Sequence, residues 1–138
     1  MMRRVLDTSV AVAWYLPESF SPAARRWQRL LLDGKAELYV PSLQYLEFAN
    51  VLRTYVRRGA LGADTASEIY ELHIEAPLTL AEPARASILD VALEYDATAY
   101  DALYVALSLE LQIPLLTAER PSCPWIKKLG QLADSVRE

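Results

Sequence analysis

Apolar and polar positions alternate along this chain in short blocks, and the period of each block changes. Arg3–Leu6 reads as a short buried strand that ends at Asp7. Thr8-Ser9 then opens an apolar helix over Val10–Leu16. Ser21-Pro22 supplies a cap and a first-turn proline for a second helix, which ends near Asp33-Gly34. Glu37–Val40 is a second strand, closed by Pro41-Ser42. The next helix runs from Leu43 to Arg58, with Gly59 as its C-cap. At about 100° per residue, Tyr45, Phe48, Ala49, Leu52, Tyr55 and Val56 form its apolar face. Glu47, Asn50, Thr54, Arg57 and Arg58 fall opposite, as either a water-facing stripe or the wall of a cleft.

Thr65-Ala66-Ser67-Glu68 fits a capping box, and its helix runs to about Glu75. Ala76–Ala81 is a short strand candidate, and Glu82-Pro83 begins a helix that ends near Glu94. Thr98–Ser108 is apolar nearly all round, as a core helix is, and carries Asp101 in its first turn. Ile113–Thr117 reads as a strand followed by a turn at Ala118–Pro121. A helical piece near Trp125–Leu129 and a last strand near Gln131–Ala133 complete the chain. Strands alternating with helices argue for an α/β fold with a mainly parallel sheet, and residues 1–138 show no linker that would divide it.

Composition narrows the chemistry. At 53% hydrophobic and 23% charged, the chain can build a substantial core. Its apolar runs are too short to span a bilayer, and Met1-Met2-Arg3-Arg4 runs straight into Val5-Leu6-Asp7 without a secretory signal pattern. A cytoplasmic location without membrane attachment is therefore expected. Cys123 and His73 are the only residues of their kinds, which removes disulfide frameworks, thiolate metal sites and Ser-His-Asp hydrolysis. Any metal would be held by oxygen, which favours Mg²⁺ or Mn²⁺. The net charge of −4 is unusual for a protein held on nucleic acid by its overall field, so such a role needs local basic patches or a metal.

Four acids then share a logic. Asp7 and Glu119 each follow a strand, Asp101 opens a buried helix, and Glu47 lies on the polar side of another. Strand ends and helix starts meet at one edge of a doubly wound sheet. Singly, each acid has an ordinary reading: Asp7 as an N-cap, Asp101 as an acid favoured by the helix dipole, Glu47 as part of a solvated stripe. Together they would repel one another unless a divalent cation lay between them. Asp96 precedes the Asp101 helix and reads as a loop carboxylate. His73 has no orienting partner nearby and reads as a packed or surface residue. Arg25, Arg26 and Arg29 read as a solvated face, and Trp14, Tyr15, Trp27 and Tyr39 as core or contact aromatics.

The motifs resemble those of PIN-domain proteins, most of all the VapC toxins of type II toxin–antitoxin pairs. Val5-Leu6-Asp7-Thr8-Ser9 resembles the family's opening strand and first acid. Ser42–Glu47, with Asn50 and Leu52, resembles its Glu-bearing helix. Thr98–Leu107 is similar to its most recognisable segment, and Leu115–Arg120 to its last motif. The resemblance implies a three-layer α/β/α sandwich and Mg²⁺- or Mn²⁺-dependent hydrolysis of RNA. It also implies a homodimer and a small antitoxin protein that occupies the active-site groove. Asp7, Glu47, Asp101 and Glu119 would be the catalytic, metal-holding acids, with Thr8, Ser9 and Thr117 positioning acids or a phosphate. Asn50 would orient an acid or a water, and Arg57 and Arg58 would contact phosphates. Glu119 departs from the family, which usually has Asp there, and leaves open a PIN-like binding module that has lost catalysis. A phosphotransfer role for Asp7 is disfavoured: no second Asp follows two residues later, and no lysine stands near.

Overall fold

The computed structural model describes residues 1–137. Its elements are β1 (Met2–Leu6), α1 (Thr8–Val12), α2 (Ser21–Leu32), β2 (Ala36–Val40), α3 (Leu43–Arg57), α4 (Ala63–Glu75), β3 (Thr79–Leu80), α5 (Arg85–Tyr95), α6 (Ala99–Leu111), β4 (Leu115–Thr117), α7 (Pro124–Leu129) and β5 (Ala133–Ser135). The five strands form one sheet in the order β3-β2-β1-β4-β5, and every pairing is parallel. Buried parallel strands carry apolar side chains on both faces, and these do: Leu6, Leu38, Val40 and Leu116 join one core, while Val5 and Leu115 join the other. The first core is covered by α1–α4 and the second by α5–α7. The architecture is thus a three-layer α/β/α sandwich.

The strand order carries the functional consequence. From β1 the chain winds outward to β2 and β3, then returns to lay β4 on the other side of β1. The winding direction reverses between β1 and β4, and the carboxyl ends of such strands open a crevice. Asp7 leaves β1 at that crevice, and Thr117 closes β4 beside it.

Several boundaries differ from the sequence reading, each for a local reason. The helix expected over Val10–Leu16 is α-helical only to Val12; Trp14 and Tyr15 N–H groups then bond three residues back, tightening the chain into turns. The Thr65–Glu68 capping box does not form, because α4 begins at Ala63 behind Gly62. The helix expected from Glu82-Pro83 begins at Arg85. Glu82 is drawn away to accept the Ser42 N–H at 2.6 Å, ahead of α3, and Glu110 takes the Ala84 N–H at 3.0 Å. The last strand slides to Ala133–Ser135 because Gly130, with φ 62°, ends α7 and starts a 3₁₀ turn through Leu132. Trp14, Trp27 and His73 are core residues, and Asp96 caps α5 in a left-handed conformation. Among the described residues no helix is long and apolar enough to cross a membrane.

Candidate functional site

Asp7 stands at the N-cap position of α1, yet its side chain makes no capping bond. Its Oδ2 instead accepts the Thr117 hydroxyl at 2.8 Å, and that same hydroxyl oxygen accepts the Glu119 N–H at 3.1 Å. One buried threonine at the end of β4 therefore fixes both the first carboxylate and the backbone that carries the last. Ser9 adds a brace, its Oγ accepting the Ala118 N–H at 3.2 Å.

Glu47 reaches the same place from α3. Its Oε1 accepts the Thr8 hydroxyl at 2.9 Å and the Tyr104 hydroxyl at 2.5 Å, and the two hydroxyl oxygens lie 2.8 Å apart. Two donors on one oxygen pin the carboxylate and leave Oε2 for another ligand. Asp101 arrives at the third position of α6, where Thr98 at the N-cap accepts its backbone N–H at 3.1 Å.

Asp7, Glu47, Asp101 and Glu119 thus line one open cleft of about 680 Å³, together with Thr8, Ser9 and Glu18. The acids sense one another. Asp7 is only half-buried by accessible surface but lies at the cleft floor with protein on most sides. Burial raises its pKa to about 7 against the Thr117 hydrogen bond, and the charges of Asp101, Glu47 and Glu119 push it the same way. Asp101 is raised as well, by burial first and then by Glu119 and Glu47. Burial, the Asp7 charge and the Glu47 hydrogen bond hold the Tyr104 proton far more tightly than usual, so Tyr104 serves as a donor.

Among the described residues no three His, Cys, Asp or Glu side chains close into a ready-made metal cage. The donor set is nevertheless all oxygen, and its surroundings disfavour ionisation of Asp7 and Asp101. It fits a hard cation that keeps several of its waters, as Mg²⁺ does, and binds through few carboxylates.

Other sequence candidates lie elsewhere. Asn50 is exposed and outside the cleft lining, because the cleft side of α3 runs through Glu47, Val51 and Tyr55 at one-turn intervals. Arg57 and Arg58 are exposed at the far end of α3, and Arg57 lines a separate groove against α4. The arginines that line the acid cleft are Arg120 and Arg137, neither of which the sequence marks as a phosphate contact. Tyr104, whose hydroxyl reaches Glu47, is a further residue of the site that the sequence leaves in the core. Its signal was a polar tip one turn after Asp101 in an otherwise apolar helix.

The PIN domain family model matches residues 4–120. Ribonuclease VapC3 from Pyrobaculum aerophilum is 36% identical over 123 residues, 86% of this chain and 91% of that protein. The crystal structure of PAE2754 from the same organism superposes with a TM-score of 0.75 at 20% identity, covering 98% of this chain and 84% of that one, and so shares its fold. The family match spans β1 through the turn that carries Glu119, and the chain belongs to the PIN domain family.

Proposed function

We propose that this protein is a Mg²⁺- or Mn²⁺-dependent endoribonuclease, the toxin of a toxin–antitoxin pair. The observation that carries the reading is the gathering of Asp7, Glu47, Asp101 and Glu119 on one cleft, with Asp7 raised to about 7. Family membership and the 36% identity to a ribonuclease of the VapC series support the substrate class. The same reading includes a cognate small antitoxin protein, a homodimer and a cytoplasmic location.

The four carboxylates would hold the cation. When bound, it supplies a water of lowered pKa and positive charge for the departing oxygen of a phosphodiester. The protein's own part is positional. Thr117 holds Asp7, while Thr8 and Tyr104 hold Glu47, so the carboxylates face the cleft in fixed rotamers. Such prepositioning spares the reorganisation that free side chains would need at the moment of reaction. Glu119, one methylene longer than the family's usual Asp, sits on a backbone anchored by Thr117 and would reach the cation directly or through water.

The test is cleavage of single-stranded RNA with Mn²⁺ or Mg²⁺, with and without chelator. Asp101→Asn should lower the rate by more than about 100-fold, beyond the usual loss from an indirect partner of a metal, with the melting temperature retained. Cleavage by Asp101→Asn at the wild-type rate, or wild-type cleavage indifferent to chelator, would overturn the assignment. A folded wild-type protein that neither cleaves RNA nor binds millimolar Mn²⁺ would favour the binding-module reading.

A further inference from the structure

A nuclease cleft lined by Asp7, Glu18, Glu47, Asp101 and Glu119 has an electrostatic problem: its substrate is a polyanion. A cation between the carboxylates answers this at the scissile phosphate only. Arg120 and Arg137 are the only basic residues in the lining of this cleft among the described residues.

Both also line a second cavity of about 380 Å³ that shares Phe20 with the first, so the two hollows adjoin at these three side chains. Its wall is completed by Ser19, by Pro22 and Ala23 near the start of α2, and by Val136, and it contains no acid among the described residues. The carboxylates thus crowd the first hollow, and the two guanidiniums stand between it and the acid-free second. Neither arginine forms an ion pair among the described residues, and Arg137 Nε is buried there without a hydrogen-bond partner.

The position of Arg137 is built rather than accidental. Ser135 lies in register with Thr117 in the β4–β5 pairing, and the Val136 N–H donates to the Thr117 carbonyl at 2.9 Å. The Ser135 hydroxyl donates to the Glu119 carbonyl at 2.5 Å and its oxygen accepts the Arg137 N–H at 3.1 Å. The guanidinium carbon then packs 4.7 Å from the centre of the Phe20 ring. The turn that carries Glu119 and the tail that carries Arg137 are therefore locked to each other.

We propose that Arg120 and Arg137 form a phosphate-binding shelf that takes a backbone phosphate of single-stranded RNA adjacent to the one held over the carboxylates. This rests on the nuclease reading and adds a direction to it: the strand runs from the acid cleft past Phe20 toward the start of α2. A planar guanidinium suits a phosphodiester because it can donate two parallel hydrogen bonds to it.

The test uses the full chain, a labelled single-stranded RNA oligonucleotide, and chelator to prevent cleavage. Dissociation constants are measured from low to physiological salt for wild type, Arg137→Ala, Arg137→Gln, Arg137→Lys and Arg120→Ala. Arg137→Ala should weaken binding by about 10-fold and lower the slope of log K against log salt by about one. Arg137→Lys should restore the slope but only part of the affinity. Arg137→Gln keeps a stem to pack on Phe20 and should bind as weakly as the alanine variant. Mn²⁺ binding followed separately should be unchanged or tighter in the alanine and glutamine variants, since a nearby positive charge is lost. Wild-type affinity and slope in both the Arg137 and Arg120 variants would overturn the shelf while wild-type cleavage in Mn²⁺ left the nuclease reading standing. A wild-type protein that neither binds nor cleaves RNA would overturn both.

Discussion

Gln44 and Glu47 stand one turn apart on α3, and they lead into two polar clusters with opposite electrostatics. Gln44 is fully buried, and its Oε1 accepts His73 Nε2–H from α4 at 2.7 Å. The imidazole stacks on Phe48 at 4.0 Å between ring centres, within a nest of aromatics that includes Tyr45 and Trp14. Burial lowers the pKa of His73 to about 4, so it is neutral at ordinary pH. Glu47, one turn on, enters a wet cleft where carboxylates crowd together and Asp7 is raised to about 7. The first cluster is buried and uncharged, although Gln44 Nε2 and His73 Nδ1 have no hydrogen-bond partner within it. The second holds charges that the protein alone does not balance, and that imbalance marks a binding site rather than a structural network.

The largest effects that separate the clusters are in the pH dependence of stability. His73 is harder to protonate folded than unfolded. The unfolded chain therefore binds the extra proton between pH 6.5 and about 4, and stability falls as pH drops through that window. Asp7 has the opposite sign. It is easier to protonate folded than unfolded, so its contribution is lost as pH rises from 3.8 through about 7. In chelator, Asp7→Asn should flatten the fall in melting temperature on the neutral side, a stabilisation on the order of a few kcal/mol at pH 7.5. Millimolar Mn²⁺ should do the same for wild type. The two windows overlap between pH 4 and 6.5, where the contributions oppose each other, so His73→Phe should steepen the fall in stability with rising pH across that range and leave the stretch above pH 6.5 unchanged, at a cost of about 1–3 kcal/mol because Gln44 loses its partner. Melting curves from pH 4 to 8 check both. A neutral-side slope in Asp7→Asn equal to wild type would show that the cleft carries no strain.

Tyr104→Phe offers a smaller and more selective break. It removes one of the two donors on Glu47 Oε1 while keeping the buried ring, and Thr8 remains as the other donor. Loss of a hydroxyl that orients a metal-holding carboxylate should weaken Mn²⁺ binding and cleavage together by about 10-fold, the low end for such partners. Raising the Mn²⁺ concentration should recover most of the rate. A loss that metal does not relieve would mean that Tyr104 acts on RNA rather than through Glu47.

These clusters also show what a linear chain reveals. The positions of Asp7 and Glu119 were legible because an acid directly after a buried strand has few places to go in a parallel sheet. Asp101 was legible because a carboxylate in a nearly uniform apolar helix stands out. Tyr104 was not, since a tyrosine in such a helix reads as core until the fold brings Glu47 to its hydroxyl. Arg137 was not, since its role depends on β5 pairing with β4 and on a tail bonded to Thr117 and Ser135. The Gln44–His73 pair joins residues 29 apart in sequence, and nothing local to either predicts it. The helix starts at Glu82 and Thr65 misled because local capping chemistry was overruled by Glu82 serving Ser42 and by α4 starting behind Gly62.

Arg57 and Arg58 are candidates that the fold leaves outside the cleft lining, and they supply the smallest expected effect. Helical periodicity placed them on the same side as Glu47, but it says nothing about distance. Ten residues at 1.5 Å each put Arg57 about 15 Å along α3 from Glu47. Both are exposed, and charges that far apart across solvent are largely screened at physiological salt. The double variant Arg57→Ala/Arg58→Ala should therefore cleave a short single-stranded RNA within about 2-fold of wild type at 0.15 M salt, as exposed charges beyond a Debye length do. Measured beside Arg137→Ala, it decides the course of the substrate. A loss of 10-fold or more in the double variant, with Arg137→Ala unaffected, would send the RNA along α3 instead of past Phe20.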